Sequence, residues 1–484
     1  MHSLSLKNTI QIAGPLIAFI LLMLPVPNGM PEAAWRVAAV AIWMALWWAF
    51  EAVPIAVTAL LPIMVFPLLS VATIKTVTAP YANPIIYLFL GGFIVGKAIE
   101  RCGLHKRIAL SILSLCGADG RRIIAGFMLA STFLSMWISN TSTTMMLLPI
   151  GLSIITVITS ALPELSTSQL QKFQVALLLA IAYSATLGGV STLVGTPPNA
   201  FLAAFMSENY GREIGFAQWF RLGLPVTLIM LPIVWWLLIR VLFSINFHGG
   251  AAVSESVTHL YKELGAMSVA EKRVAVVFVL MALAWISRPL LNSIQGLHLL
   301  SDPGIALIAA ALLFVIPNGE KVKDNSLITW QVASELPWGV LILFGGGLSL
   351  ASVVTSSGLA QYLGESLEHF SYYGIAALVV MAVLLVIFLT ELTSNIATTA
   401  TFLPVVAAVA ISSDVDPMVL AVPITLAASF AFMLPVATAP NAVVFSSGLL
   451  SIKQMVRAGV LLNIIGALLV SLISIFLVPI IFKS

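Results

Sequence analysis

The amino-acid sequence predicts an all-α polytopic membrane protein with about 11 transmembrane helices and two re-entrant hairpins. Of its 484 residues, 60% are apolar and only 8% are charged, and the mean hydropathy is +1.08. Soluble domains carry about 25% charged residues, so this chain has too few charges to cover a surface in water. The composition therefore excludes a cytosolic enzyme, a secreted disulfide scaffold and a disordered chain.

Apolar runs predict where the chain crosses the membrane. Nine runs are close to the length of one helix that spans a hydrocarbon core of roughly 30 Å. They lie at about 9–25, 35–50, 53–70, 84–100, 220–243, 272–290, 301–317, 337–357 and 456–481. Together with the two broken helices described below, they give about eleven crossings.

Two longer runs, 122–155 and 372–411, carry the polar clusters SNTSTT and TELTSNIATT near their middles. Divided at the cluster, each run gives two arms of about 15 residues, which is marginal for crossing a bilayer. We therefore expect each run to form a re-entrant hairpin with polar residues at its tip.

The runs 172–206 and 417–447 are interrupted by residues that do not favour a continuous helix. GGVSTLVGTPPN occupies 188–199, and PVATAPN occupies 435–441. Non-helical backbone at membrane depth is tolerated only where protein or a water-filled cavity satisfies its polar groups. The two runs therefore predict broken helices that line a cavity.

The basic residues predict the sidedness of the chain. With a cytoplasmic N-terminus, sixteen of the 22 Lys and Arg residues fall on cytoplasmic segments, in agreement with the positive-inside rule. This arrangement places the C-terminus on the extracellular or periplasmic side. The net charge of +3 is ordinary for a membrane protein with basic cytoplasmic loops and does not indicate a nucleic-acid partner.

The chain also resembles itself. At a constant offset of 255 residues, FLSMWISNTSTTMMLLPI at 133–150 matches FLTELTSNIATTATFLPV at 388–405. At an offset of 242, VGTPPNA at 194–200 matches VATAPNA at 436–442. Five predicted crossings separate equivalent spans of the two halves, and an odd number means that the halves are inverted relative to each other.

The repeat predicts the organisation of the chain. We expect an N-terminal span at 1–34, a first inverted repeat at 35–243, a cytoplasmic linker at 244–271 and a second inverted repeat at 272–484. Inverted repeats with broken helices are typical of secondary transporters. A channel or scaffold with duplicated helices would explain the duplication, but not the polar breaks at matched positions.

The polar clusters indicate what such a transporter binds. They offer hydroxyls, amide oxygens and free backbone carbonyls, which suit small hard cations, and helix N-termini, which favour anions. None of the clusters contains Arg, Lys or His. An anionic substrate would therefore need co-bound cations, which predicts cation-coupled uptake of a small multivalent anion. An inward-negative potential opposes a dianion by about 2.3 kcal/mol per charge per 100 mV, and more than two Na⁺ per dianion would reverse the sign.

Four motifs resemble the divalent anion/sodium symporter family, specifically the bacterial INDY-type Na⁺/dicarboxylate transporters. They are ANPIIYLFLGGF, LSMWISNTSTTMMLLPI, GTPPNA and MLPVATAPNAVVF. The resemblance extends from about residue 35 to the C-terminus. It implies a homodimer in the cell membrane that works by an elevator mechanism. The scaffold domain would comprise approximately 1–120 and 272–370, and the transport domain approximately 121–243 and 371–484.

The resemblance also implies binding residues. One Na⁺ site would use Ser135, Ser139, Asn140 and the carbonyl of Gly195. The second Na⁺ site would use Thr390, Asn395 and the carbonyls of Thr393 and Ala437. The substrate carboxylates would contact Ser139, Asn140, Thr141, Ser394, Asn395 and Thr438. Beyond these co-transported ions, no cofactor and no catalytic site are expected.

The chain departs from the family pattern at Ile396, where a Thr is frequent, and at Ala439, where a Pro is frequent. Both positions lie on the substrate side of the site. We still expect symport of C4-dicarboxylates such as succinate, malate and fumarate. A Na⁺-independent exchanger of dicarboxylate, citrate or sulfate is the alternative, and an ion channel is a further one.

Glu391 is an acid inside the second hairpin, where the matched residue of the first hairpin is Met136. An acid within the membrane is a functional candidate, either as a proton carrier or as a charge beside a cation. We expect instead that Glu391 pairs locally or caps a helix.

Overall fold

The computed structural model describes residues 6–117, 119–247, 250–319, 326–367 and 374–482. Within these ranges the regular secondary structure is helical, and an isolated β-bridge joins Pro317 and Ser326. Eight of the described helices are long and apolar enough to cross a membrane. The all-helical membrane fold predicted from composition is confirmed, whereas the total of eleven crossings stays a prediction.

The described residues of the first half of the chain form twelve α-helices. They are α1 (Leu6–Met23), α2 (Glu32–Ala49), α3 (Ile55–Thr58), α4 (Leu61–Leu68), α5 (Ile74–Thr78), α6 (Pro84–Arg101), α7 (Leu104–Cys116), α8 (Gly120–Ser135), α9 (Asn140–Ala161), α10 (Thr167–Ser191), α11 (Pro197–Tyr210) and α12 (Phe216–Trp236). A 3-10 turn at Ala79–Ala82 precedes α6, and a π-helix at Leu237–Leu242 extends α12.

The described remainder contains α13 to α24. They are α13 (Gly250–Glu263), α14 (Val269–Leu291), α15 (Asp302–Val315), α16 (Trp330–Ala333), α17 (Trp338–Ser356), α18 (Leu359–Leu367), α19 (Ile375–Thr390), α20 (Asn395–Ser412), α21 (Met418–Ser429), α22 (Ala439–Phe445), α23 (Ile452–Phe476) and α24 (Val478–Ile481). The predicted linker 244–271 thus includes the helix α13.

The run 53–70 does not form the single helix that its hydropathy predicts. It divides into α3 and α4, which are separated by Ala59 and Leu60. Pro54 precedes α3, and Pro62 is the second residue of α4. Because proline lacks an amide hydrogen and is tolerated in the first turn of a helix, these prolines favour helix starts at both places.

Both predicted hairpin regions fold as two helices joined by a four-residue turn. α8 and α9 flank residues 136–139, and α19 and α20 flank residues 391–394. The start of the second predicted region, 372–373, lies outside the described residues. Because α9 has 22 residues and is long enough to cross a bilayer, the re-entrant placement of the hairpins stays a prediction.

Both predicted breaks are present, but they differ in length. The first separates α10 from α11 by residues 192–196, so Gly188 and Gly189 remain helical. The second separates α21 from α22 by residues 430–438, and it begins five residues before the predicted PVATAPN segment. The early unwinding has a physical cause at Glu391, which is described below.

The two halves pack against each other at their breaks. α9 of the first hairpin contacts α22, and α20 of the second hairpin contacts α11. Each hairpin therefore packs against the broken helix of the other half. α10 lies at the centre, and every residue from Val175 to Ser191 is buried. From Val175 onward α10 is largely apolar on all sides, which fits a core position.

An ion pair joins α12 to α14 and α15. Arg288 Nε lies 2.9 Å from Asp302 Oδ1, and Asp302 Oδ2 accepts a hydrogen bond from the Phe216 amide at 2.7 Å. The rings of Phe216 and Trp285 stack with centroids 4.6 Å apart. These contacts join the start of α12, in the predicted transport domain, to α14 and α15, which the domain prediction places in the scaffold.

Candidate functional site

The tip of the first hairpin is organised by its own side chains. Ser135 Oγ donates a hydrogen bond to Asn140 Oδ1 at 2.6 Å. Ser139 caps α9, because its Oγ accepts a hydrogen bond from the Ser142 amide at 3.1 Å. A serine at this position satisfies one of the free amides of the first helical turn. The two serines therefore hold Asn140 at the start of α9.

Glycines bring the first break against this tip. A Cβ atom on Gly189 would overlap the side-chain amide of Asn140, and one on Gly195 would lie 2.5 Å from the Gly189 carbonyl oxygen. The backbone at these two positions is thus in direct contact with its neighbours, an approach that a larger residue would block. The structure accordingly brings Ser135, Asn140 and Gly195 together.

The second hairpin repeats the bond between a hydroxyl and the asparagine. Thr390 Oγ1 lies 2.9 Å from Asn395 Oδ1 and 2.9 Å from the Ala428 carbonyl oxygen, so this hydroxyl links the hairpin to the end of α21. Thr393 Oγ1 lies 2.6 Å from Thr398 Oγ1. Ser394 is the N-terminal cap residue of α20, although its side chain makes no capping hydrogen bond.

Glu391 holds the second break in its unwound form. Its carboxylate accepts hydrogen bonds from the amides of Phe432, Met433 and Leu434 at 2.8 to 3.1 Å. It also accepts one from Asn463 Nδ2 in α23 at 2.7 Å. Because charge-assisted hydrogen bonds are the stronger ones, the carboxylate replaces the carbonyl partners that a continuous helix would offer these amides. Glu391 is thus paired, as expected, but its partners lie 41 to 72 positions further along the chain and not within its own hairpin.

The first break uses a different contact at the corresponding place. Thr192 Oγ1 donates a hydrogen bond to the Met136 carbonyl oxygen at 2.6 Å. In the first half a single hydroxyl makes the contact between hairpin and break, whereas in the second half the Glu391 carboxylate accepts four hydrogen bonds from backbone amides. The first break is five residues long and the second is nine.

Asparagines near the start of α11 and α22 also hold the breaks. Asn199 Nδ2 donates to the carbonyl oxygens of Gly189, Val190 and Thr192, and Asn441 Nδ2 donates to those of Ala431 and Leu434. Both asparagines are fully buried. The Pro-Asn motif that occurs in both halves indicates that these two residues are equivalent, but it does not reveal their role.

Both tips and both breaks line one cavity of about 890 Å³. The predicted binding residues on its wall are Ser139, Asn140, Thr141, Gly195, Thr393, Ser394, Asn395, Ala437 and Thr438. Ser135 and Thr390 are fully buried behind this wall and reach it through their bonds to Asn140 and Asn395. Every predicted binding residue therefore lies on the wall of this one cavity or is hydrogen-bonded to a residue that does.

Four charged residues also line the cavity: Glu51, Lys97, Glu100 and Glu335. Among the described residues that line it, Lys97 carries the one positive charge, and its Nζ lies 3.5 Å from carboxylate oxygens of Glu100 and Glu335. Lys97 is near the C-terminal end of α6, at the end that the count of basic residues predicts to be cytoplasmic. The polar tips themselves offer neutral oxygens and the amides of helix starts.

These donors suit a hard monovalent cation more than a transition metal. In the described part of the chain, no group of three His, Cys, Asp or Glu residues is placed to hold a metal ion. Hydroxyl, amide and unwound backbone oxygens are the ligands that secondary transporters offer to Na⁺, and the starts of broken helices face anionic substrate groups. The site therefore has the chemistry to hold cations and an anion side by side.

Comparison with known proteins identifies the family. The family model described as "Sodium:sulfate symporter transmembrane region" matches residues 6–482. The chain belongs to this family of divalent anion/sodium symporters. The resemblance carried by the sequence motifs is thereby confirmed.

Family relatives cover nearly the whole chain. The sodium-dependent dicarboxylate transporter SdcS of Staphylococcus aureus (strain bovine RF122 / ET3-1) is 43% identical over 473 residues, which is 97% of this chain and 91% of the relative. SdcS of strain NCTC 8325 / PS 47 has the same identity and coverage.

Two solved structures share the fold at low sequence identity. MtrF of Neisseria gonorrhoeae superposes with a TM-score of 0.59 at 12% identity, covering 92% of this chain and 95% of its own. The YdaH transporter of Alcanivorax borkumensis gives a TM-score of 0.53 at 14% identity, covering 83% and 85%. At these identities the likeness concerns the fold alone.

Proposed function

We propose that the protein is a secondary active transporter that couples the entry of Na⁺ to the uptake of C4-dicarboxylates such as succinate, malate and fumarate. The observation that carries this proposal is the pair of matched polar tips, which face one cavity and contain no Lys, Arg or His. A dianion held there needs positive charge from another source. Sodium ions bound in the same oxygen-rich site supply it.

Two hydroxyl–asparagine pairs are the cation ligands in this proposal. Ser135 with Asn140 and Thr390 with Asn395 are equivalent pairs at the 255-residue offset. Each pair lies beside an unwound segment whose carbonyls, at Gly195 and Ala437, belong to the cavity wall. In this proposal the pairs and the carbonyls bind one Na⁺ in each half.

The substrate then lies between the two tips. Ser139, Asn140 and Thr141 from one half and Ser394, Asn395 and Thr438 from the other line the cavity and would contact its two carboxylates. Because amides at the starts of α9 and α20 carry partial positive charge, they add to the attraction for an anion. The name of SdcS, a sodium-dependent dicarboxylate transporter, supports this substrate class.

The wider mechanism that we propose rests on the resemblance to the family and on the count of basic residues. The domain division at about 121–243 and 371–484 groups both hairpins and both broken helices into one transport domain. We infer that this domain moves as an elevator against the scaffold in a homodimer. The N-terminus would lie in the cytoplasm and the C-terminus outside, so the cavity near Lys97 would open toward the cytoplasm.

Proteoliposomes containing the purified protein test the function. Uptake of labelled succinate should require an inward Na⁺ gradient and should vanish when choline replaces Na⁺. An inside-negative potential should accelerate uptake if more than two Na⁺ accompany each dianion. Uptake that requires internal substrate but no Na⁺ would identify the exchanger instead, and single-channel currents would identify a channel.

A further inference from the structure

A second groove, of about 250 Å³, lies away from the transport cavity. Three helical elements of the assigned transport domain form it: the start of α10, the π-helical end of α12 and the start of α23. The residues that line it are Ser168, Gln171, Lys172, Leu242, Phe243, Gln454 and Arg457. This volume would hold about eight water molecules at ~30 Å³ each, so a small polar group fits.

The groove carries two positive charges and no negative one. Lys172 and Arg457 are exposed, and neither has an ion pair or hydrogen bond with any residue that the structure describes. The hydroxyl of Ser168 and the amide of Gln171 face the same space with no partner in the described ranges. These four groups form a set of free hydrogen-bond donors.

The two cations also lie at the same depth in their helices. Each is the sixth residue of its helix, counted from Thr167 in α10 and from Ile452 in α23. At 1.5 Å per residue, both lie roughly 7.5 Å from the helix start. The positive-inside count places both helix starts on the cytoplasmic side, where anionic lipids give the leaflet its negative surface potential.

The apolar side chains of the groove are Leu242 and Phe243, and further exposed apolar residues lie near them in the sequence. Phe243 forms its buried wall. Val241 precedes the lining residue Leu242 and is 46% exposed. Ile452 is the first residue of α23 and is 52% exposed. Trp236 is 53% exposed at the end of α12, as expected for a tryptophan of the interfacial belt. A ligand here would have a charged head and an apolar tail.

We propose that this groove binds the phosphate headgroup of an anionic phospholipid. The guanidinium of Arg457 would bind two phosphate oxygens, and Lys172 would add a point charge. Ser168 and Gln171 would donate to the remaining oxygens of the headgroup. Since all three helical elements belong to the assigned transport domain, this lipid would travel with the moving part. The assignment of a lipid does not depend on the identity of the transported anion.

Direct binding to the purified full chain tests the site. A short-chain phosphatidylglycerol carrying a fluorophore is titrated in neutral detergent, with short-chain phosphatidylcholine as the uncharged comparison. We expect phosphatidylglycerol to bind saturably and phosphatidylcholine to show no saturable binding. Each of Lys172→Gln and Arg457→Gln should weaken it about 5-fold, and the double variant about 30-fold, because one basic residue contributes about 1 kcal/mol to attraction of anionic lipid.

A matched variant separates the groove from general surface charge. Lys262→Gln with Lys272→Gln removes two exposed positive charges elsewhere on the predicted cytoplasmic side and should leave binding within twofold of the unmodified protein. Equal losses in the two double variants would overturn the proposal. So would displacement of the lipid by millimolar glycerol phosphate, which would show that the groove takes a soluble phosphate ester. Unchanged thermal midpoints confirm that the variants are folded.

Discussion

Asn199 and Asn441 bind the backbone of their own broken helices at corresponding positions. Asn199 Nδ2 lies 3.2 Å from the Gly189 carbonyl oxygen and 2.8 Å from that of Thr192. Asn441 Nδ2 lies 3.2 Å from the Ala431 oxygen and 3.0 Å from that of Leu434. Each residue of the second set is 242 positions after its counterpart. The internal repeat therefore extends from sequence to individual hydrogen bonds.

The first prediction concerns these asparagines. Asn199→Asp and Asn441→Asp should each abolish succinate uptake and lower the thermal midpoint, because a carboxylate accepts hydrogen bonds and has no amide hydrogen to donate to the carbonyls. Asn209→Asp is the matched control, since Asn209 lies at the far end of the same helix as Asn199, where its side chain donates to the Phe205 carbonyl and accepts from the Thr355 hydroxyl. Normal uptake by both test variants would contradict the role assigned to the pair.

A second prediction concerns the contact between Gly189 and Asn140. Gly189→Ala should displace the Asn140 side chain, with which the new methyl group would overlap, and should raise the Na⁺ concentration for half-maximal uptake at least tenfold. Gly92 lines the same cavity, but a methyl group there would meet Val194 at an ordinary 3.7 Å. Gly92→Ala should therefore retain normal Na⁺ activation, and equal defects in both variants would refute the argument.

Asn140 and Asn395 provide a third prediction. Asn140→Ala or Asn395→Ala should abolish Na⁺-driven uptake, because each removes the amide that would contact both the cation and the substrate, while the protein stays folded by size-exclusion chromatography. Thr156→Ala on the exposed face of α9, whose hydroxyl bonds only the Leu152 carbonyl, should be unaffected. Near-normal uptake by both asparagine variants would refute the site assignment.

Substrate affinity gives a fourth prediction at Ile396, which lines the cavity next to Asn395. Ile396→Thr places a hydroxyl beside the expected carboxylate, and a hydrogen bond to a charged group contributes about 1.5 kcal/mol or more. The KM for the preferred dicarboxylate should fall about tenfold. Ile396→Val keeps the branched shape without a hydroxyl and serves as the control. A similar change in both variants would mean that volume, not hydrogen bonding, is responsible.

The fifth prediction concerns the stability of the second break. Glu391→Met would leave the amides of Phe432, Met433 and Leu434 without the carboxylate that now binds them. Each buried amide without a partner costs about 1–3 kcal/mol, so the variant should lose at least about 3 kcal/mol and unfold at a markedly lower temperature. Glu391→Gln keeps one acceptor oxygen and should lose less. A midpoint unchanged in both would show that other groups hold the break.

Much of this architecture is visible in the sequence because membrane spans and polar interruptions leave strong local signals. The tips at Asn140 and Asn395 and the breaks before Asn199 and Asn441 are readable from SNT-like and Pro-Asn motifs at constant offsets. Their convergence on one cavity followed from the resemblance to a known family, and the structure places them there.

Other features depend on contacts between distant segments. The second break begins at Phe430 because Glu391, about forty positions earlier in the chain, binds the following amides. Hydropathy describes only neighbouring residues and does not detect a partner so far along the chain, so the sequence pattern predicted a later start of the second break. Likewise, the division of the run 53–70 depended on prolines whose position in a helix turn hydropathy does not weigh.

The hydrogen bonds between Glu391 and the second break bear on how the two halves of the chain diverged. An ancestor assembled from two identical copies would have had the same residue at positions 136 and 391, whereas the present chain has Met at one and Glu at the other. A concatenated gene that repeats the first half twice would therefore code for a second half without its acidic anchor. Its second break would have only a hydroxyl at the position of Thr192, which holds the first break through the Met136 carbonyl, so the two present halves hold their breaks by different chemistry.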